Sequence, residues 1–351
     1  MRKRISVIIM ILFMVLVSCN SGGVAEEPKT VYLTSIANLG KGFLDVFVTF
    51  KDMVTGAFGI KADTKKSDIG KYFADIEKTM TSVKKKLQGE VATNGNYVKV
   101  KTVVDKFITD TLDKIAAGAK EAAKGATGED KIGNTTSAGH GASPADKDSV
   151  ISLVKGIKTI VDVVLKDKGD AGATKTAEDD KKDIGKLFDG KKDDAKEENI
   201  AKAAASIGVV TGADILKAIT TSKENPVENA TEGINAAKDA AEIAVAKAVN
   251  DKKEIKELAK KDAVIAAGIA LRAMAKDGKF AVKDEEKSAH AVNGVAASAV
   301  GKTLSTLIIA IRNTVDSGLK TINEVLAAVK QEDKSLEAAT PTDATASGQQ
   351  Q

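Results

Sequence analysis

Apolar residues recur at spacings of three and four along most of the chain, the period of a helix with one buried face. Between Val31 and about Gly56 the repeat is carried by Phe43, Val46, Phe47, Phe50, Met53 and Val54. Asp68 stands where a cap for the next helix is expected. Ile69, Phe73, Ile76, Met80, Val83 and Leu87 then alternate spacings of four and three. Such an a/d seam can pack inside a bundle or against a second copy. Helices follow over Tyr97–Ala123 (Val100, Val104, Phe107, Ile108, Leu112, Ile115) and over Val150–Val164. In the C-terminal third, Glu254–Lys276 reads as one helix, with Gly278 permitting a stop. After Val292 the pattern resumes with Leu304, Leu307, Ile308, Ile311, Val315, Leu319, Ile322, Leu326 and Val329. A helix over Thr303–Lys330 would be a rod of roughly 40 Å. Antiparallel pairing of the first and last helices would bring both ends of the body together on the membrane side, with the irregular loops at the distal end.

Polar stretches without period separate these helices. Gly125–Pro144, GATGEDKIGNTTSAGHGASP, reads as an exposed loop, as does Asp167–Asp183. A third break, Thr221–Gly233, surrounds Pro226, and the charged stretch Lys191–Asn199 reads as a solvated face or linker. The expected organisation is a single helical body over 30–331, with loops near 124–148, 167–200 and 221–234 and a disordered polar tail over 332–351. DIGKYF at 68–73 recurs as DIGKLF at 183–188, most simply a helix start used twice.

The N-terminus follows another grammar. Arg2, Lys3 and Arg4 precede an apolar run, Ile5–Val17, too short for a bilayer span and laid out as a secretory signal. It ends Leu16-Val17-Ser18-Cys19, which resembles the bacterial lipobox in all four positions, and Cys19 is the chain's only cysteine. That resemblance implies cleavage after residue 18 and acylation of Cys19. Several acyl chains make a stable anchor without a transmembrane helix. Residues 19–29 are small and polar and read as a tether. The most apolar later run, Leu304–Ile311, is short and flanked by Lys302 and Arg312, so no later span is expected.

Composition narrows the functional classes. Of 351 residues, 43% are hydrophobic but only 3% aromatic, and Trp is absent. A net charge of +4 against 29% charged residues is a mixed surface, not a nucleic-acid footprint. One cysteine excludes an internal disulfide. His140 and His290 lack ligand partners for a metal site. Gly301-Lys302-Thr303 looks like the end of a phosphate loop, but Ala296 occupies the required upstream glycine position and no strand precedes it. No set of nucleophile, base and orienting group converges, so no catalytic residue and no cofactor is expected. Lys84, Lys85 and Lys86, with Lys252, Lys253, Lys256, Lys260 and Lys261, are candidate contacts for polyanions; interleaved acids favour a solvated face.

Residues 259–283, AKKDAVIAAGIALRAMAKDGKFAVK, carry the most specific signal. They closely resemble the constant helix-and-turn segment of the variable large protein family, variable lipoproteins of relapsing-fever spirochaetes. The likeness extends over Ala289–Lys330 and residues 28–123, including DIGKYF. The resemblance implies an elongated all-α bundle on the outer membrane, facing the host and acting as a major variable antigen that evades antibody. Its partners would then be the outer membrane, through the acyl chains, and host antibodies. The alternative is an adhesin that binds host glycosaminoglycan or a serum protein through lysine-rich faces. Oligomeric state, monomer or weak dimer, stays open at this stage.

Overall fold

The computed structural model describes residues 28–51, 59–94 and 97–330, with side chains placed in 32–43, 59–94 and 97–330. No strand occurs among the described residues; three isolated antiparallel bridges do. Helix α1 (Pro28–Lys51) opens on proline, whose missing N–H has no partner to lose in a first turn. Helix α2 (Lys66–Thr93) opens with the Asp68 carboxylate accepting the Lys65 N–H at 3.0 Å, so Asp68 lies inside the first turn rather than at the cap. The a/d seam of α2 is internal. Ile69, Phe73, Ile76, Met80, Val83 and Leu87 are all buried, against α1, which adds Leu39 and Phe43, and against the helices that follow. Met53 and Val54, expected on the first helix, lie outside the described residues.

Helices α3 (Val98–Phe107) and α4 (Asp113–Gly125) are joined without a break by one π-helical turn, Ile108–Leu112. Helix α5 (Lys147–Val164) starts at Asp146, whose carboxylate accepts the Ser149 N–H at 2.9 Å. Helices α4 and α5 make the most extensive pairing in the fold. Glycine permits it: a Cβ on Gly156 would sit 2.3 Å from the Ala122 nitrogen and 2.5 Å from the Gly118 oxygen.

Short helices α6 (Glu178–Asp183), α7 (Glu197–Val209), α8 (Gly212–Thr220), α9 (Ala240–Val245) and α10 (Asp262–Met274) surround one long one, α11 (Glu286–Ala327). At 42 residues α11 is about 63 Å long, starting well before Thr303. Its early turns bury small residues (Ala289, Val292, Ala296, Ala299), which extend the apolar face where larger residues alone show no period. Helix α11 packs against α7, α8 and α10 and against α1 and α3, with Gly212 of α8 lying against Lys302 and Thr306 and Gly318 against Phe107 of α3. Tyr32 in α1 donates to the Val329 carbonyl just beyond α11, so the first and last helices run antiparallel as expected.

Several expectations need correction. By length and composition α11 would pass as a membrane span, with an 18-residue window of mean hydropathy 1.6, but 56% of that window is buried in the body. Helix α10 begins only at Asp262. Residues 254–261 are not helical, because the buried Ile255 donates its N–H to the Lys182 carbonyl at 3.1 Å. That tertiary bond overrides local propensity. The two DIGK segments differ: the first is α-helical, whereas Ile184–Phe188 is a 3-10 turn in which Gly185 lies against the Lys253 carbonyl. Residues 126–146 lack helix, as expected, yet most are held rather than free. His140 and Val282 exchange backbone hydrogen bonds at 3.0 and 2.9 Å, Ser143 and Lys279 at 3.2 and 3.0 Å, and the fully exposed stretches are residues 129–131 and 136–138. In the 167–177 segment the Asp170 N–H donates to Asp214 at 2.8 Å.

Candidate functional site

The lipobox residues Leu16, Val17, Ser18 and Cys19 lie outside the described residues. What the structure describes is the body that such an anchor would carry.

Most candidate cations are engaged with acids or backbone. Lys84 bonds the Asp113 carboxylate at 2.8 Å, beside Lys85 and Lys86 on the same helix. Lys252 pairs with Glu232 at 2.8 Å, Lys253 with Asp194 at 3.1 Å, and Lys260 with Glu257 and Glu178 at 2.8 and 3.3 Å. Exposed pairs of this kind contribute little stability, but each carboxylate cancels the charge its lysine would offer a polyanion. The phosphate-loop lookalike has another role. Lys302 donates to the carbonyls of Ile207, Gly208 and Val210 at 2.8, 3.3 and 2.6 Å, closing the C-terminus of α7. A cation there also meets the negative end of the helix dipole. Thr303 bonds the Ala299 carbonyl within its own helix. His140 contacts the Gly141 carbonyl, and the exposed His290 faces Glu286 one turn away. Among the described residues no cluster of three or more His, Cys, Asp or Glu side chains is placed to hold a metal. A shallow groove of about 350 Å³ between α7 and α11 is lined mainly by Ile200, Ala201, Ala204, Ala291 and Val295.

The polar chemistry of this protein is concentrated in its interior, around α10. This helix is buried on nearly every side, not on one face as its pattern of large residues suggests; only Val264 is partly exposed between Asp262 and Ala275. It carries two charges inward. The fully buried Arg272 donates to the carbonyls of Lys279 (2.9 Å), Ile243 (3.3 Å), Ala244 (3.2 Å), Ala246 (3.2 Å) and Ser143 (2.5 Å). Its guanidinium lies 5.0 Å over the Phe188 ring, which packs edge-on with Phe280. Burial lowers its pKa to about 9, which leaves it charged at neutral pH. The turn after α10 is shaped for this cation. Asp277 takes the left-handed conformation (φ 63°), and Gly278 lies so close that a Cβ would stand 2.2 Å from the Arg272 carbonyl.

At the other end of α10 the buried Asp262 accepts the N–H groups of Lys175 and Thr176 at 2.6 and 2.9 Å and the hydroxyls of Thr176 and Ser206 at 2.6 Å. Burial alone would raise its pKa; these donors outweigh burial and hold the carboxyl below its usual range. Lys66, at the start of α2, is buried as well. Its ammonium donates to the Arg272 and Ala273 carbonyls at 3.2 and 2.7 Å. Burial, partly offset by Asp130, lowers its pKa to about 7. Sequence reasoning missed all of these charges. One signal was available for Arg272: its helix is apolar all round, so no face remains to expose it.

The segment 259–283 is therefore a hub. Arg272, Asp262 and Lys66 draw together the loop at 143, the turn at 175–176, the end of α9, the turn at 279 and the start of α2. The arrangement orders backbone; it presents no cleft with convergent reactive groups.

The family model described as Borrelia lipoprotein matches residues 43–326. Variable large protein 4 of Borrelia hermsii is 80% identical over 99% of this chain and 100% of its own length. Variable large protein 19 of the same organism is 44% identical, covering 93% of this chain and 94% of its own. The crystal structure of the Lyme disease variable surface antigen VlsE of Borrelia burgdorferi superposes with a TM-score of 0.71 at 34% identity, over 84% of this chain and 98% of that one.

Proposed function

This chain belongs to the Borrelia lipoprotein family, with the variable large proteins, and from that premise we propose that it is a lipid-anchored outer-surface antigen whose exposed face varies to escape host antibody. One observation carries the reading: relatives within a single organism span this chain almost end to end while identity falls from 80% to 28%. The interior supports it. Buried charges that bind backbone hold the loops in place, so the scaffold tolerates change in the side chains displayed outside it. The exposed tip at 136–138 and the exposed residues of 167–176, 190–198 and 223–232 are the surfaces we assign to antibody contact. Cys19 would carry the acyl chains, following Leu16-Val17-Ser18, and the body would be non-catalytic. No observation favours glycosaminoglycan or serum-protein binding, because the basic side chains on the helix faces are largely matched by acids.

Protease treatment of intact cells tests this. Peptides from around 136–138 and 167–176 should be released first, while an acylated N-terminal peptide beginning at Cys19 stays with the cells. A protein that survives until the outer membrane is breached would face the periplasm, and the surface-antigen reading would fail.

A further inference from the structure

Three distant parts of the chain meet at one end of the body. Tyr32 in α1 donates to the Val329 carbonyl after α11, and its ring packs edge-on against Tyr97, centroids 6.1 Å apart, where α3 begins. Beside these contacts lie Leu33 and Val98, 39% and 57% exposed, two of five large apolar side chains so exposed among the described residues. Lys99, Lys101 and Lys330 are exposed close by in sequence, Lys101 pairing with Asp105. This is also the end from which the chain leads to Cys19. Residues 20–27 separate Cys19 from Pro28. Fully extended they reach at most about 28 Å.

We infer that this end of the body rests on the bilayer surface, Leu33 and Val98 entering the headgroup boundary beside the lysines. The inference rests on the proposed lipidation of Cys19. Two exposed apolar side chains would bind a membrane only weakly from solution. A tether this short changes the arithmetic: it holds the end at an effective concentration of about millimolar, so a contact too weak to act alone is engaged for much of the time. The chemistry suits a headgroup layer, where lysine stems lie along apolar surface and keep the charged tip in water. Glu26 and Glu27 in the tether offset the lysines, so apolar insertion rather than net charge supplies the attraction. The acyl chains and this end then form a two-point contact, and α11 stands away from the membrane instead of swinging about the tether.

The absence of tryptophan makes the test clean. Single variants Leu33→Trp, Val98→Trp and Leu258→Trp are made in the full lipidated protein and placed in vesicles of phosphatidylcholine and phosphatidylglycerol with acyl chains brominated or not. Leu258 is 67% exposed, beside α10 and away from this end, and serves as the control. The expected result is a blue shift and loss of most emission in brominated vesicles at positions 33 and 98, with neither at 258. Co-flotation with vesicles but unchanged emission at 33 and 98 would show a body standing off on its tether and overturn the inference. Quenching at 258 as well would show a body lying on its side, and overturn it too. Protein that neither floats with vesicles nor carries acyl groups on Cys19 would remove the anchor itself, and both readings with it.

Discussion

Arg272 has no carboxylate partner; five carbonyl oxygens and an aromatic face stand in for one. Truncation removes the donor from the Ala246 carbonyl, costing about 1–3 kcal/mol, while the Ser143, Ile243, Ala244 and Lys279 carbonyls keep a backbone donor. Arg272→Ala should lower stability by about 3–5 kcal/mol in urea unfolding, in line with stripping one member from a buried charge network. Arg272→Lys should recover only part of the loss, because one ammonium cannot span acceptors spread around a planar fork. Lys66 gives a pH signature. Its folded pKa of about 7 lies below the ordinary lysine value of 10.5, so the unfolded chain holds the proton more tightly. Charging Lys66 thus opposes folding fully below pH 7, and the penalty is relieved as pH rises from there to about 10.5. The difference in unfolding free energy between the protein and Lys66→Met should shift in favour of the lysine form across that window. A flat difference would mean that Lys66 is solvated in the folded state.

At the scale of elements, glycine decides how closely helices approach. Gly156→Ala would force a methyl into the Gly118–Ala122 backbone and should cost about 1–3 kcal/mol by overpacking, seen as a lower unfolding midpoint. Lys302→Ala should cost about 1 kcal/mol, because the carbonyls that end α7 lose their donor. Hydrogen exchange should quicken near residues 207–210 first. How much of this was legible in the sequence follows from the range of each interaction. The seam from Ile69 to Leu87 could be read because its buried face repeats within one helix. The non-helical run at 254–261 could not, because the bond that straightens it reaches back to Lys182. The length of α11 was underestimated because alanines on its early turns count as core only when a neighbour covers them. The pairing of α4 with α5 was hidden because Gly118 and Gly156 show their purpose only together.

Over the whole molecule, display and support separate. Inserting a short polar segment at 136–138 should leave the melting temperature nearly unchanged, since the tip makes few buried contacts. The same insertion between Asp277 and Gly278 should abolish cooperative melting, because that turn closes the Arg272 cage. What this division means for inheritance follows from the kind of atom the buried charges bind. Arg272, Lys66 and Lys302 all address peptide oxygens, and Asp262 takes two of its four close donors from peptide nitrogens. A peptide oxygen is supplied by every residue type alike. The codons for Ser143, Ala246 or Lys279 can therefore drift without deleting the acceptor that each position provides. Selection needs to guard only the few side chains at the centre, and a lineage can rewrite most of its outward alphabet while the same frame is spelled each time.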